Sequence, residues 1–271
     1  MQAVILGCGY TARRVAVRLL EAGARVLATA RNAESLDDLR QLGAETASLD
    51  ATLPEMRPLR IEPGAVVLYS IPTVDAGGGL EDCTSRVLET LHPAPVRVVY
   101  LSTTGVYGTT RDVDETTPAN PTTLRERLRW EAENAVSSGP WSSMILRPAA
   151  IYGPGRGLQV SMARGDYKLV GDGQNFVSRI HVEDLAVHCT AALSSAETGA
   201  WPVADDHPCT AREIAQFCAE LLHVPMPDSV SADRLHETRR ADRKVDGRAV
   251  RRVLGVELTY PSYRIGIPDS L

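Results

Sequence analysis

Ala3-Val4-Ile5-Leu6-Gly7-Cys8-Gly9-Tyr10-Thr11-Ala12 opens the chain and decides its fold. The apolar run is long enough for a buried strand. It passes directly into two glycines and then into a pattern in which Val15, Ala16, Leu19 and Leu20 recur at helical spacing up to Gly23. In such a strand-loop-helix unit the first glycine makes the tight turn and the second lets the backbone approach a pyrophosphate. A small third residue, here Ala12, lets the helix pack on the strand. The free N–H groups of the first helical turn and the positive helix end then face the phosphates. Gly7, Gly9, Tyr10, Thr11 and Ala12 are therefore expected to hold a dinucleotide.

Beyond this unit the chain alternates short apolar runs with helical patterns, the signature of a parallel sheet covered by helices on both faces. Strands are expected at 2–7, 24–30, 45–49, 65–71, 96–102 and 142–148, and helices at 10–22, 33–42, 79–91 and 121–138. The expected fold is α/β, a Rossmann-type doubly wound sheet in the order 3-2-1-4-5-6, with the cofactor across the carboxyl ends where the order reverses. From Tyr152 the rhythm loosens through Gly153-Pro154-Gly155. A helix is expected from Glu183 to Ser194, a strand near 200–204 and a helix from Thr210 to His223. The implied division is a nucleotide-binding domain over 1–151, with 178–204 returning to it, and a smaller, partly discontinuous substrate region over 152–177 and 205–271.

The 271 residues carry a net charge of −5, which argues against a nucleic-acid partner. Cys8, Cys83, Cys189, Cys209 and Cys218 are odd in number and scattered, as in a reduced cytoplasmic chain. With no leader pattern at the start and no run of membrane-spanning length, no membrane association is expected. The run Arg239, Arg240, Arg243, Lys244, Arg248, Arg251 and Arg252 is interleaved with Asp242 and Asp246 and reads as a solvated helix. His181 and His188 lie seven apart without further ligands at a supporting spacing, so no metal is expected.

Cofactor preference is read at the end of the second strand, where a carboxylate would accept from the ribose 2′-hydroxyl. Thr29-Ala30-Arg31 stands there instead, and an arginine suits a 2′-phosphate. NADP is expected, with NAD the alternative. Asp50, after the third strand, is placed to accept from the adenine amino group, although an Asp there also forms turns. Ser70, Ile71 and Pro72 follow the fourth strand, where backbone passes the nicotinamide ribose.

Four segments together resemble the extended short-chain dehydrogenase/reductase superfamily, which holds the NAD-dependent epimerases and dehydratases. They are the Gly7 to Ala12 loop, Leu101-Ser102-Thr103-Thr104-Gly105-Val106-Tyr107-Gly108, Leu146 to Arg156, and Arg179-Ile180-His181-Val182-Glu183-Asp184-Leu185-Ala186. The resemblance implies an NAD(P)-binding core, a C-terminal substrate region acting on a small molecule, and a monomer or a homodimer paired through the helices at 79–91 and 121–138. It also implies that Thr103, four residues before Tyr107, bonds the substrate oxygen. A Tyr-x-x-x-Lys pair normally moves the proton in that superfamily, with a Glu four residues on. Aligned on Glu133, Arg129 takes the lysine place and Arg125 the tyrosine place, and neither Tyr nor Lys occurs between Gly108 and Arg147. The chain thus resembles an atypical branch.

Losing an acid/base pair costs about 10² to 10⁴ in rate, roughly 3 to 5 kcal/mol, against about 7 to 11 kcal/mol available from orienting reactants. The loss therefore weakens the case for hydride transfer to an oriented carbonyl without closing it. An arginine stays charged and cannot donate the proton, but it stabilises a developing alkoxide. Thr103, Arg125 and Arg129 are the catalytic candidates, with a proton relayed from water or from Tyr107 or Tyr152. Arg125, Arg129 and Glu133 read equally as a surface ladder. Arg147 reads as an anion binder or an ion-pair partner, and Arg156 as a substrate contact. Two functions stay open: an NADP-dependent oxidoreductase or epimerase-like enzyme, and a sensor that binds NADP without turnover.

Overall fold

The computed structural model describes residues 1–75, 77–232 and 241–271. Seven parallel strands form the central sheet: β1 (Gln2–Leu6), β2 (Arg25–Ala30), β3 (Glu45–Ser48), β4 (Val66–Tyr69), β5 (Arg97–Leu101), β6 (Ser142–Pro148) and β7 (Gly199–Val203). Their order is β7-β6-β5-β4-β1-β2-β3, so the expected order holds and Gly199–Val203 adds a seventh strand beside β6. β1, β4 and β5 are buried on both faces, which is why they read as continuous apolar runs.

Helix α1 (Tyr10–Glu21) crosses from β1 to β2 and buries Thr11, Ala12, Val15, Ala16 and Leu19 as one face. It packs with α6 (Val182–Ser194) over one side of the sheet, around Ile5, Ala28, Leu68 and Val99. On the other side, α3 (Thr84–Glu89) and α4 (Leu124–Ser137) cover Val67, Tyr69, Val98 and Tyr100. Burying a Val or Leu of these faces contributes about 1.5 to 3 kcal/mol. A separate cluster joins Tyr152, Met162 of α5 (Leu158–Ala163), Leu169, Tyr263 and Ile267 to the inner face of α7 (Ala211–Leu222). Both α4 and α7 begin on capping boxes, Thr123 with Glu126 and Thr210 with Glu213.

Three expectations are corrected. The helix expected over 79–91 is confined to Thr84–Glu89, because Val74–Asp75 and Leu80–Glu81 pair as an antiparallel hairpin and Asp82 accepts the Thr84 N–H as the helix begins. The helix at 33–42 is a 3-10 turn, Ala33–Leu36, followed by a short α2 (Asp37–Gln41). The basic run is not one solvated helix. Lys244–Val245 pairs with Asp112–Val113, Arg243 is buried, and among the described residues of the run only Arg248–Leu254 is helical. Arg239 and Arg240 lie outside the described residues. No helix among the described residues is long and apolar enough to cross a membrane.

Candidate functional site

At the carboxyl end of β1, Gly7 turns with φ +80°, a left-handed conformation that glycine takes without steric cost. Its N–H donates to Thr29 Oγ1 at 3.2 Å and the Cys8 N–H to the Thr29 carbonyl at 2.7 Å, so β2 fixes the shape of the loop. A methyl on Gly7 would lie 2.7 Å from Ile71 Cγ1, whereas one on Gly9 would meet nothing within 4 Å. One glycine is thus required by packing and the other leaves open space. Helix α1 starts at Gly9 with no side-chain cap, and its first internal bond runs from the Arg13 N–H to the Gly9 carbonyl. The N–H groups of Tyr10, Thr11 and Ala12 therefore precede the helical ladder and suit a pyrophosphate. All five expected loop residues come together, and they fit the phosphates of a dinucleotide.

The Tyr10 side chain has a second task. Its phenol donates to the Pro154 carbonyl at 3.0 Å, and the guanidinium groups of Arg14 and Arg156 stand 4.4 and 5.3 Å from its ring centre. The glycine loop is thereby tied to the turn that opens the region after β6. Arg156, read from sequence as a substrate contact, is placed against this ring.

Arg31 follows β2 and is exposed. Asp50 accepts the Thr52 N–H at 3.0 Å and its hydroxyl at 2.7 Å, the turn-forming arrangement. Those bonds hold its carboxyl below the usual range, with a smaller contribution from the Arg31 charge. Arg13 pairs with Asp38 and donates to the Ser35 carbonyl at 2.7 Å along the same edge.

At the other end the pairing of β4 with β5 stops at Tyr69↔Tyr100, and the chains continue as Ser70-Ile71-Pro72-Thr73 and Ser102-Thr103-Thr104. Thr103 is half-buried, and its Oγ1 accepts the Gly105 N–H at 3.1 Å, starting a 3-10 turn over Thr104–Tyr107. The hydroxyl hydrogen is left to donate. Arg125 reaches Thr73 Oγ1 from the first turn of α4 at 3.0 Å. Arg129, one turn on, is 7 % exposed and donates to the Ile71 carbonyl at 3.2 Å and the Leu101 carbonyl at 2.6 Å. Arg129 and Glu133 thus lie on the sheet-facing side of α4, which removes the surface-ladder reading for both.

Arg147 is an ion-pair partner, 2.6 Å from Glu133, and Glu133 also accepts from Ser102 Oγ at 2.5 Å. The guanidinium lies 4.9 Å from the ring centre of Tyr107. Tyr107 and Tyr152 are buried, with hydroxyls that lack hydrogen-bond partners among the described residues, and Tyr152 packs against Gly266. Burial encloses both phenols and raises their pKa above the usual value. His181 meets Ser270 Oγ at 3.1 Å while His188 meets the Asp184 carbonyl at 2.7 Å. Burial lowers each to about 4.

Several residues of this end escaped the sequence reading. Thr29 was visible only as a hydroxyl in an apolar strand, and it turns out to pin the loop. Thr73 and Asp82 gave no signal, since their partners Arg125 and Arg129 are about 50 residues distant. Arg243 lay in a run read as solvated, yet it donates to the carbonyls of Gly108 and Thr110 and clasps the turn after Thr103.

Comparison with known proteins agrees with this geometry. The NAD(P)H-binding family matches residues 7–195. A functionally unknown conserved protein of Silicibacter pomeroyi DSS has a similar structure, with 31% identity and a TM-score of 0.79 over 99% of this chain and 97% of that one. MoeE5, solved with UDP-glucose and NAD, shares the fold at 19% identity and a TM-score of 0.80, over 100% of this chain and 97% of that one. The 3-diazoavenalumate denitrifying reductase of Streptomyces sp is 31% identical over 152 residues, 51% of this chain and half of that protein's length. With the family match spanning most of the strands of the central sheet, the chain belongs to the NAD(P)H-binding family.

Proposed function

We propose that this chain is an NADP-dependent oxidoreductase acting on a small carbonyl or hydroxyl compound. Gly7, Gly9 and the N–H groups of Tyr10 to Ala12 hold the pyrophosphate, Arg31 takes the 2′-phosphate, Asp50 lies by the adenine, and the backbone of Ser70 to Pro72 lines the nicotinamide end. When bound, the reduced nicotinamide supplies a hydride. The Thr103 hydroxyl donates a hydrogen bond to the carbonyl oxygen, and the Arg125 charge stabilises that oxygen as it gains an electron pair. The proton that completes the alcohol reaches the oxygen through Thr103 from water, because the phenols of Tyr107 and Tyr152 are enclosed.

The observation that carries this reading is Thr103 itself, half-buried at the open end of β5 with its oxygen fixed by Gly105 and its hydrogen available. The Streptomyces relative, a reductase by name, supports the direction of chemistry. The test is a screen of NADPH oxidation against carbonyl compounds, followed by Thr103→Val. Turnover should fall by about 10² or more, the scale of losing one donor to a developing oxyanion. Unchanged turnover would place the reacting oxygen elsewhere. A sensor without turnover is the second reading, favoured by Arg129, whose donors meet backbone carbonyls at the lysine position. Tight NADPH binding with no oxidation across the panel would select it.

A further inference from the structure

In a doubly wound sheet the dinucleotide lies across the carboxyl ends of the strands around the point where their order reverses, here between β1 and β4. Beside that point the pairing of β4 with β5 ends at Tyr69↔Tyr100, and one side chain bridges the two strand extensions. Arg129 directs NH1 to the Ile71 carbonyl and NH2 to the Leu101 carbonyl, one on each strand extension. A planar fork makes two such bonds at a fixed separation, which a point-like ammonium does not reproduce. The guanidinium lies 4.9 Å from the Tyr100 ring centre, and NH1 stands 3.6 Å from Asp82 Oδ2. Both side chains of that ion pair are 8% exposed. Asp82 Oδ1 accepts the Thr84 N–H, while Oδ2 has no hydrogen-bond partner among the described residues, so the pairing with Arg129 compensates its charge. The far side of Ile71 presses on the glycine loop: its backbone N and Cα would lie 3.0 and 3.1 Å from a methyl on Gly7.

We propose that Arg129 is a positioning residue and not a group that touches the reacting atoms. Anchored by Asp82, it sets the spacing of Ile71 and Leu101 and thereby shapes the seat of the nicotinamide half of the dinucleotide. The inference rests on the cofactor reading above and departs from the lysine whose place Arg129 takes. A lysine there would serve the ligand; this arginine serves the backbone that meets the ligand.

The experiment compares the binding of NADPH with that of 2′-phospho-ADP-ribose, which lacks the nicotinamide, by calorimetry on the full chain. The main variant is Asp82→Asn with Arg129→Gln, which removes both charges together and leaves no buried carboxylate uncompensated. Asp82→Asn alone is the second variant, since Asp82 reaches the ligand only through Arg129. Both should weaken NADPH by about tenfold or more and leave 2′-phospho-ADP-ribose within about twofold. Equal losses for the two ligands, or no loss for either, would overturn the inference while wild-type binding preserves the cofactor reading. Wild-type protein that binds neither ligand would overturn both.

Discussion

Ile71 stands so close to Gly7 that a single added methyl would fall 2.7 Å from its Cγ1. That contact joins β4 to the glycine loop and separates the roles of the two glycines. Gly7→Ala meets both the clash and a positive φ, a backbone cost alone of about 1 to 3 kcal/mol. Gly9→Ala meets open space within the protein and intrudes only where the phosphates would pass. The expected outcome is a lowered melting temperature and lost NADPH binding for Gly7→Ala. For Gly9→Ala the melting temperature should hold and binding should fall. A Gly9→Ala protein that binds as the wild type does would remove the pyrophosphate from this loop.

Arg31 tests the preference for the phosphorylated cofactor. Replacing it with Asp exchanges a partner of the 2′-phosphate for a repelling charge, yet leaves NAD a possible acceptor for its 2′-hydroxyl. Affinity for NADP should drop by about 10² while NAD changes little or gains. Titration of both nucleotides measures the ratio, and equal losses would end the assignment.

Glu133 and Arg147 form a buried pair whose side chains are only 4% and 9% exposed. Arg147→Met strands the carboxylate among Ser102 and apolar neighbours, at a cost of about 3 to 5 kcal/mol. Adding Glu133→Gln keeps an acceptor for Ser102 Oγ and removes the stranded charge. Thermal unfolding should show the single variant far below wild type and the double variant recovering most of the loss. Additive losses would mean that the pair is not coupled.

Acid response is set by opposed buried groups. His181 and His188, each lowered by burial to about 4 from 6.5, stay neutral in the fold while the unfolded chain binds protons. Their contribution is full above pH 6.5 and is lost as pH falls toward 4. Asp205 is raised by burial from 3.8 to about 7, so its contribution is full below pH 3.8 and is lost as pH rises through 7. Asp205→Asn removes that opposing share. Its melting temperature relative to wild type should climb between pH 4 and pH 8, and a flat difference would show that Asp205 titrates normally.

The glycine loop, the alternating elements and the strand order were legible because each is written in local pattern. An apolar run ending in Gly7, a helical stripe through Val15 and Leu19, and β-rich segments at regular intervals suffice to dictate a doubly wound sheet. The hairpin within 74–81 was hidden because its neighbourhood carries an equally good helical pattern, and only the Gly77-Gly78-Gly79 turn and the Asp82 bond shorten the helix.

The sequence by itself determined the fold, the glycine loop and the absence of Tyr and Lys between Gly108 and Arg147, since those are facts of residue type and spacing. Tertiary structure alone decided what replaced the missing pair. The same periodicity that places Arg125, Arg129 and Glu133 on one helical stripe is compatible with water or with the sheet. Burial and the Ile71 and Leu101 carbonyls just past the paired ends of β4 and β5 settle the choice for Arg129, because a desolvated guanidinium needs acceptors and those carbonyls supply them. Such partners lie 28 and 58 residues away along the chain, beyond the reach of any local pattern.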